Sequence, residues 1–248
     1  MAFRCTLPAP GCMTTPHSQR TNAVNRRKAE ASTLLHWVKS DDGTPWPDWS
    51  GRLSSMGVKG IWTEYGLSSL REAVRRQVFV RSWGGEANVA SSLLEERYQQ
   101  SGEAYFLQRL GLCLRAGAMA VGHEAVRERM TGAKNGLLLL AVDAGESSRT
   151  RYSRNVERKH GILVELASGE RLGRALGREF VSCVWVDTAP WVSDLSRLAC
   201  ALNGLPAGTI VSYDNAAERV GRAAESNDSA VPGEGVTRGA GHDAILRR

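Results

Sequence analysis

Residues 137–143 read LLLLAVD, an apolar run closed by an acidic residue, and this stretch decides the fold. A small polar cluster follows (AGESS, residues 144–148), then a basic, helix-like segment over residues 149–160. A second apolar run covers residues 162–166 (ILVEL). The segment LGRALGRE, residues 172–179, leads into a third run over residues 181–186 (VSCVWV), which closes on Asp187. Upstream, residues 110–126 read LGLCLRAGAMAVGHEAV, an apolar helix-like segment. Apolar runs of about five residues alternating with helix-length polar segments signal a buried sheet covered by helices on both faces. The expected class is therefore α/β, with its core between residues 106 and 187.

The chain has 248 residues, enough for one large or two small domains, each able to bury a core. Its formal net charge is +6. Residues 1–90 hold 12 Lys and Arg against 7 Asp and Glu, and residues 204–248 hold 5 against 6, so the excess sits in the N-terminal part. That distribution suits a polyanionic partner. Cys5, Cys12, Cys113, Cys183 and Cys200 form no C-x-x-C pair, so neither a zinc site nor a disulfide framework is indicated. Cys113 and Cys183 lie in apolar segments and read as small core hydrophobes. No stretch reaches the roughly 18 apolar residues of a membrane span, and no hydrophobic signal core opens the chain. The expectation is a cytoplasmic protein without membrane contact.

Taken in order, residues 1–16 are rich in Pro and Thr and read as a disordered leader. A small basic unit is expected over residues 17–86. In it residues 34–39 read as a strand, Asp41-Asp42-Gly43 as a turn and residues 60–63 as another strand. Residues 67–80 place Leu67, Leu70, Val74 and Val78 at helical spacing, with Arg71, Arg75 and Arg76 on the opposite face. Residues 87–102 contain a polar, helix-prone run and read as a linker to the α/β unit at 103–203. Beyond residue 203 few large apolar side chains remain, and a disordered tail over 204–248 is expected.

Two resemblances sharpen this reading. The pieces Arg115-Ala116-Gly117, Gly122, residues 137–143 and residues 172–177 occur in the order and spacing of the kink-turn RNA-binding ribosomal-protein superfamily, the L-seven-Ae fold. This resemblance covers most of residues 104–195 and implies a three-layer α/β/α sandwich. The N-terminal unit resembles the YlxR family, small bacterial proteins with an RNA-binding assignment. That family opens with Arg-x-Cys-x-x-Cys-Arg and later carries Gly-Arg-Gly-aromatic. Here the first motif becomes Arg20-Thr21-Asn22-Ala23-Val24-Asn25-Arg26, with asparagine at both cysteine positions. The second becomes Val58-Lys59-Gly60-Ile61-Trp62, with Lys59 in the arginine's place.

The resemblances imply a non-catalytic protein for structured RNA, ribosomal RNA in the first instance, with association with the ribosome. By position, the superfamily's contacts fall on Arg115, Gly117 and Gly122, on Ser147 and Ser148, and on the loop that follows residues 172–177. Kink-turn binders of the archaeal type carry Asn-Glu and then Lys after the glycine matching Gly122. Here Glu124-Ala125 and Glu128 stand there, and an acidic residue repels phosphate. From the residues themselves, Arg20, Arg26, Arg27 and Lys28 form the densest cationic cluster, with Lys59 and Arg151 as further phosphate contacts. The basic segment Arg149, Arg151, Arg154, Arg158 and Lys159 reads either as a backbone-tracking surface or as a solvated helix face. Trp37, Trp46, Trp49 and Trp62 divide between core and base-stacking platforms. Asp143 and Asp187 are expected to end adjacent strands, with Asp143 capping the helix that follows it. His17, His36, His123, His160 and His242 show no ligand spacing, and no catalytic fingerprint or cofactor motif is present. The competing readings are a DNA-binding or transcription-associated regulator and a ribosome-associated protein-interaction module.

Overall fold

The N-terminal sheet is built on the alternating strand LLHWVK. The computed structural model describes residues 18–84, 90–133, 135–159 and 161–203. The leader at 1–16, the tail at 204–248, Cys5, Cys12, His17, His160 and His242 lie outside these. A short antiparallel hairpin comes first, β1 (Gln19–Thr21) against β2 (Lys28–Glu30), exposed except for the half-buried Ala29. After a 3-10 turn, β3 (Leu34–Lys39) pairs antiparallel with β4 (Pro45–Asp48) on one side. A four-residue helix, α1 (Arg52–Ser55), precedes β5 (Ile61–Glu64), which pairs with β3 on the other side, giving the order β4-β3-β5. Leu35 and Trp37 of β3 and Ile61 of β5 belong to the hydrophobic core.

The helical spacing over residues 67–80 resolves into two helices, α2 (Leu67–Arg75) and α3 (Val78–Trp83). They break at Gln77, whose φ of 52° is left-handed and cannot continue a right-handed helix. Helix α4 (Ser91–Arg115) then runs unbroken for 25 residues. The expected linker at 87–102 is thus helical from Ser91 onward. Its Leu94 and Tyr98 are fully buried, so the polar run presents an apolar stripe to the N-terminal sheet.

The expected buried sheet has four strands. Strand β6 (Met119–Val121) leads through Gly122 into α5 (His123–Gly132). Strand β7 (Leu137–Leu140) is followed by α6 (Glu146–Arg158), β8 (Ile162–Glu165) by α7 (Gly169–Ala175), and β9 (Cys183–Val186) by α8 (Ala189–Leu202). The order is β6-β9-β7-β8, with β7 and β8 parallel and β9 antiparallel to both neighbours. Because Leu137 pairs with Val186 and Leu140 with Cys183, side chains alternate in register across the faces. Met119, Val121, Leu137, Leu139, Val184 and Val186 meet the face covered by α4, α7 and α8. Cys183, on the other face, lies under Tyr152 of α6.

The chain is a mixed α/β protein, and the described residues fall in one compact unit. Trp37, Trp49 and Phe79 of the N-terminal part and Phe106, Leu139 and Val184 of the four-stranded part belong to a single core. Two expectations about acidic residues are corrected. Asp143 and Asp187 follow neighbouring strands, but β7 and β9 are antiparallel, so the carboxylates stand at opposite ends of the sheet. Asp143 does not cap the helix after it; its Oδ1 accepts from the Gly169 N–H, at the start of α7, at 2.8 Å.

Candidate nucleic-acid interface

The basic cluster at Arg26, Arg27 and Lys28 sits on a turn with a specific internal scaffold. Asn22 and Asn25 both donate to Glu64 Oε1 of β5, at 2.9 and 3.0 Å. Their own Oδ1 atoms accept from the backbone N–H of Val24 and Arg27. The Asn22 N–H donates to Arg27 O, the Arg26 N–H to Asn22 O, and the Ala23 N–H to Trp62 O. These bonds hold Arg26 at a φ of 62°, a conformation unfavourable for a residue with a Cβ. Arg26, Arg27 and Lys28 are exposed and have no carboxylate partner among the described residues.

Arg20, on β1, places its guanidinium 5.6 Å from the centroid of Trp62. Trp62 stacks at 4.6 Å on His36, which is buried. Lys59 is exposed two residues before β5. Of the four candidate stacking tryptophans, Trp37 and Trp49 belong to the core, Trp62 is half-buried and Trp46 is 42 % exposed beneath Arg97.

The second group of expected contacts separates. Arg115 ends α4 and Gly117 follows it, before β6, while Gly122 lies after β6. Strand β6 therefore puts Arg115 and Gly117 at one edge of the sheet and Gly122 at the other. Gly122, with a φ of 91°, lets the chain turn directly from β6 into α5. Strands β6, β7 and β8 all end at this edge, so α5 and α6 start there together. Ser147 and Ser148 lie in the first turn of α6, Ser147 exposed and Ser148 half-buried. Val142 and Phe180 are exposed at the same edge (47 % and 54 %). Gly173 lets residues 178 and 179 cross α7 closely, because a Cβ there would lie 2.7 Å from Glu179 O and 2.8 Å from Arg178 O.

One arrangement at this edge is not visible in the sequence. His123 Nε2 is 3.0 Å from Ser182 Oγ, and His123 Nδ1 is 2.9 Å from the Tyr152 hydroxyl. Cys183 Sγ lies 3.6 Å from both His123 Nδ1 and the Tyr152 oxygen. Burial, together with the Cys183 contact, pushes the Tyr152 hydroxyl well above its ordinary value, and burial pushes the Cys183 thiol up as well. The contacts tie α5, α6 and β9 together. His123 stands 29 to 60 positions from the other three, so only the fold assembles them.

Arg151 is exposed on α6 with its guanidinium 5.2 Å from the Tyr152 ring, and Arg154 and Arg158 are exposed on the same helix. Arg149 departs from the expected basic face: it packs 3.4 Å from Glu165. Among the described residues no group of three or more His, Cys, Asp or Glu side chains could hold a metal ion. No described helix is long and apolar enough to cross a membrane.

No protein-family model matches the chain, and no curated protein matches it. Among solved structures it is similar to a protein with unknown function from Bacillus halodurans, at 24% identity and a TM-score of 0.37. The match covers 38% of this chain and 95% of that one.

Proposed function

We propose that the protein is a non-catalytic RNA-binding protein for structured RNA, with ribosomal RNA and the ribosome as the first partners to examine. In this reading residues 17–86 are a YlxR-like unit and residues 103–203 a three-layer α/β/α unit of the kink-turn-binder type. The observation that carries it is the 22–27 turn, where a strained, multiply bonded loop presents Arg26 and Arg27, with Lys28 next to them, none ion-paired with a carboxylate among the described residues. Cations placed so attract a phosphate backbone and release its counterions. Arg20 over Trp62 adds a charged, aromatic surface next to them, suited to an unstacked base. At the other site, α5 and α6 begin side by side at one sheet edge, where backbone N–H groups favour phosphate. Glu124 and Glu128 on α5 oppose it, which places the main electrostatic contact on the N-terminal turn.

The test is a salt titration of binding to a structured RNA by the full chain. Reversing Arg26, Arg27 and Lys28 to Glu is expected to weaken binding by at least about tenfold and to flatten the salt dependence by about two to three units of slope. Arg115→Glu, at the far edge of the sheet from Gly122, is expected to cost less than the turn variant. Unchanged affinity in the turn variant would remove the turn from the interface. Equal competition by duplex DNA would instead favour a DNA-binding regulator, because A-form shape and the 2′-OH distinguish RNA.

A further inference from the structure

Helices α5 and α6 enclose a pocket on the side of the sheet away from α4, with a volume of about 300 Å³. Its wall on α5 is Arg127, Met130 and Thr131, and its other wall is Arg151, Tyr152 and Asn155 of α6 with Lys159 just after it. Met130 and Tyr152 are buried and form an apolar floor. Among the described lining side chains three are cations and none is a carboxylate. Arg71, Arg75, Arg109, Arg129 and Arg171 each hold a carboxylate within 3 Å, whereas Arg127 and Arg151 have none among the described residues.

The cations are also positioned. Arg151 lies over the Tyr152 ring, whose hydroxyl is fixed by His123. Lys159, a lining residue, donates one N–H to Ala133 O at 2.8 Å, which fixes its ammonium and leaves two donors. Three cations around one concavity, with no carboxylate among its described lining residues, make a positive potential that attracts an anion. A tetrahedral oxyanion matches paired guanidinium forks and a neighbouring amide. The volume, at the lower end of small-molecule sites, holds a phosphate and an attached sugar.

We propose that this pocket binds a phosphate group, with Arg127 and Arg151 as its clamps and Lys159 as the third charge. The phosphate comes either from a nucleic-acid backbone or from a free phosphate or phosphomonoester. Because Arg151 also belongs to the proposed RNA surface, the inference rests on that reading in the first case and stands without it in the second.

The experiment titrates the full chain calorimetrically with inorganic phosphate and, separately, with a structured RNA. The variants are R127Q/R151Q, N155D and, as a control on the same helix outside the pocket, R154Q. Both arginines are exposed, so R127Q/R151Q is expected to keep the wild-type melting temperature. Asn155→Asp brings a negative charge into the pocket without removing a cation. The expected result is that R127Q/R151Q and N155D weaken phosphate binding at least about tenfold while R154Q does not. Loss for both probes, or for phosphate alone, supports a site that free phosphate fills. Loss for RNA alone supports a site that takes a backbone phosphate. Unchanged affinity for both probes in R127Q/R151Q overturns the proposal. The charge-reversed 22–27 turn reports on the RNA reading by itself. If it leaves RNA affinity intact while R127Q/R151Q loses phosphate, that contact fails and the pocket stands.

Discussion

At the scale of single residues, Arg26 separates display from stability. Its left-handed backbone costs of the order of 1 kcal/mol, and glycine would remove that cost along with the charge. Arg26→Gly is therefore expected to leave thermal stability unchanged or raised by up to about 1 kcal/mol while RNA affinity falls. A variant that loses stability would mean that the side chain, not its conformation, holds the turn. Asp48 contributes to the pH dependence of the N-terminal sheet. Burial raises its carboxyl, but hydrogen bonds from His36, from the Ser54 N–H and from Ser50 outweigh that and hold it below its ordinary value. A carboxyl depressed in the folded state adds stability above its unfolded value, near 4, and that stability is lost as pH falls through the folded value. Asp48→Asn should cost about 1–3 kcal/mol at pH 7 by urea unfolding, and its deficit should narrow steadily between about pH 5 and pH 3. A deficit constant over that window would place the loss in packing and not in charge.

At the scale of elements, the glycines of LGRALG carry different roles that spacing alone does not separate. Gly177, with a φ of 69°, ends α7 in the left-handed region. Gly173 has an ordinary φ but sits under the backbone of residues 178 and 179, which cannot move as a side chain would. Gly173→Ala is expected to destabilise by about 1–3 kcal/mol, whereas Gly132→Ala, with nothing within 4 Å of the added Cβ, should be neutral or stabilising by up to about 1 kcal/mol. Equal effects in a calorimetric melt would show that residues 178 and 179 shift freely. The elements legible in the sequence were those whose pattern is local. The runs at 137, 162 and 181 announce three strands because each is apolar on both faces. Strand β6 was hidden because its three residues continue the apolar pattern of α4. Strand β4 was hidden by Pro45 and Pro47, which argue against a strand; it is tolerated because β4 pairs on one side only. The contiguous cations of the 22–27 turn were legible, whereas the pocket between α5 and α6 and the His123 cluster depend on contacts between distant segments.

At the scale of the whole molecule, α4 is the member that both sheets share. Its Tyr98 stacks at 6.1 Å on Trp37 and lies 4.7 Å from Trp49, while Phe106 and Leu110, further along, enter the core of the four-stranded sheet. The Tyr98 hydroxyl accepts from the Gly66 N–H at 2.8 Å and donates to Ala201 O at 3.1 Å, so one buried group ties the start of α2 to the end of α8. Burial pushes this hydroxyl well above its ordinary value, so it stays a donor throughout the range in which the protein is handled. Two sheets joined by one continuous helix and one core should unfold together. With 5-fluorotryptophan incorporated, Trp37 reports on the N-terminal sheet and Trp185 on the four-stranded one, and their fluorine signals should share a single urea midpoint. Tyr98→Phe leaves Gly66 N–H and Ala201 O without their partner and should lower stability by about 1–3 kcal/mol. Because the lost bonds lie between the two parts, both midpoints should move by the same amount. If the Trp37 signal melts first in the wild type, or alone in Tyr98→Phe, the N-terminal sheet folds independently and α4 only tethers it.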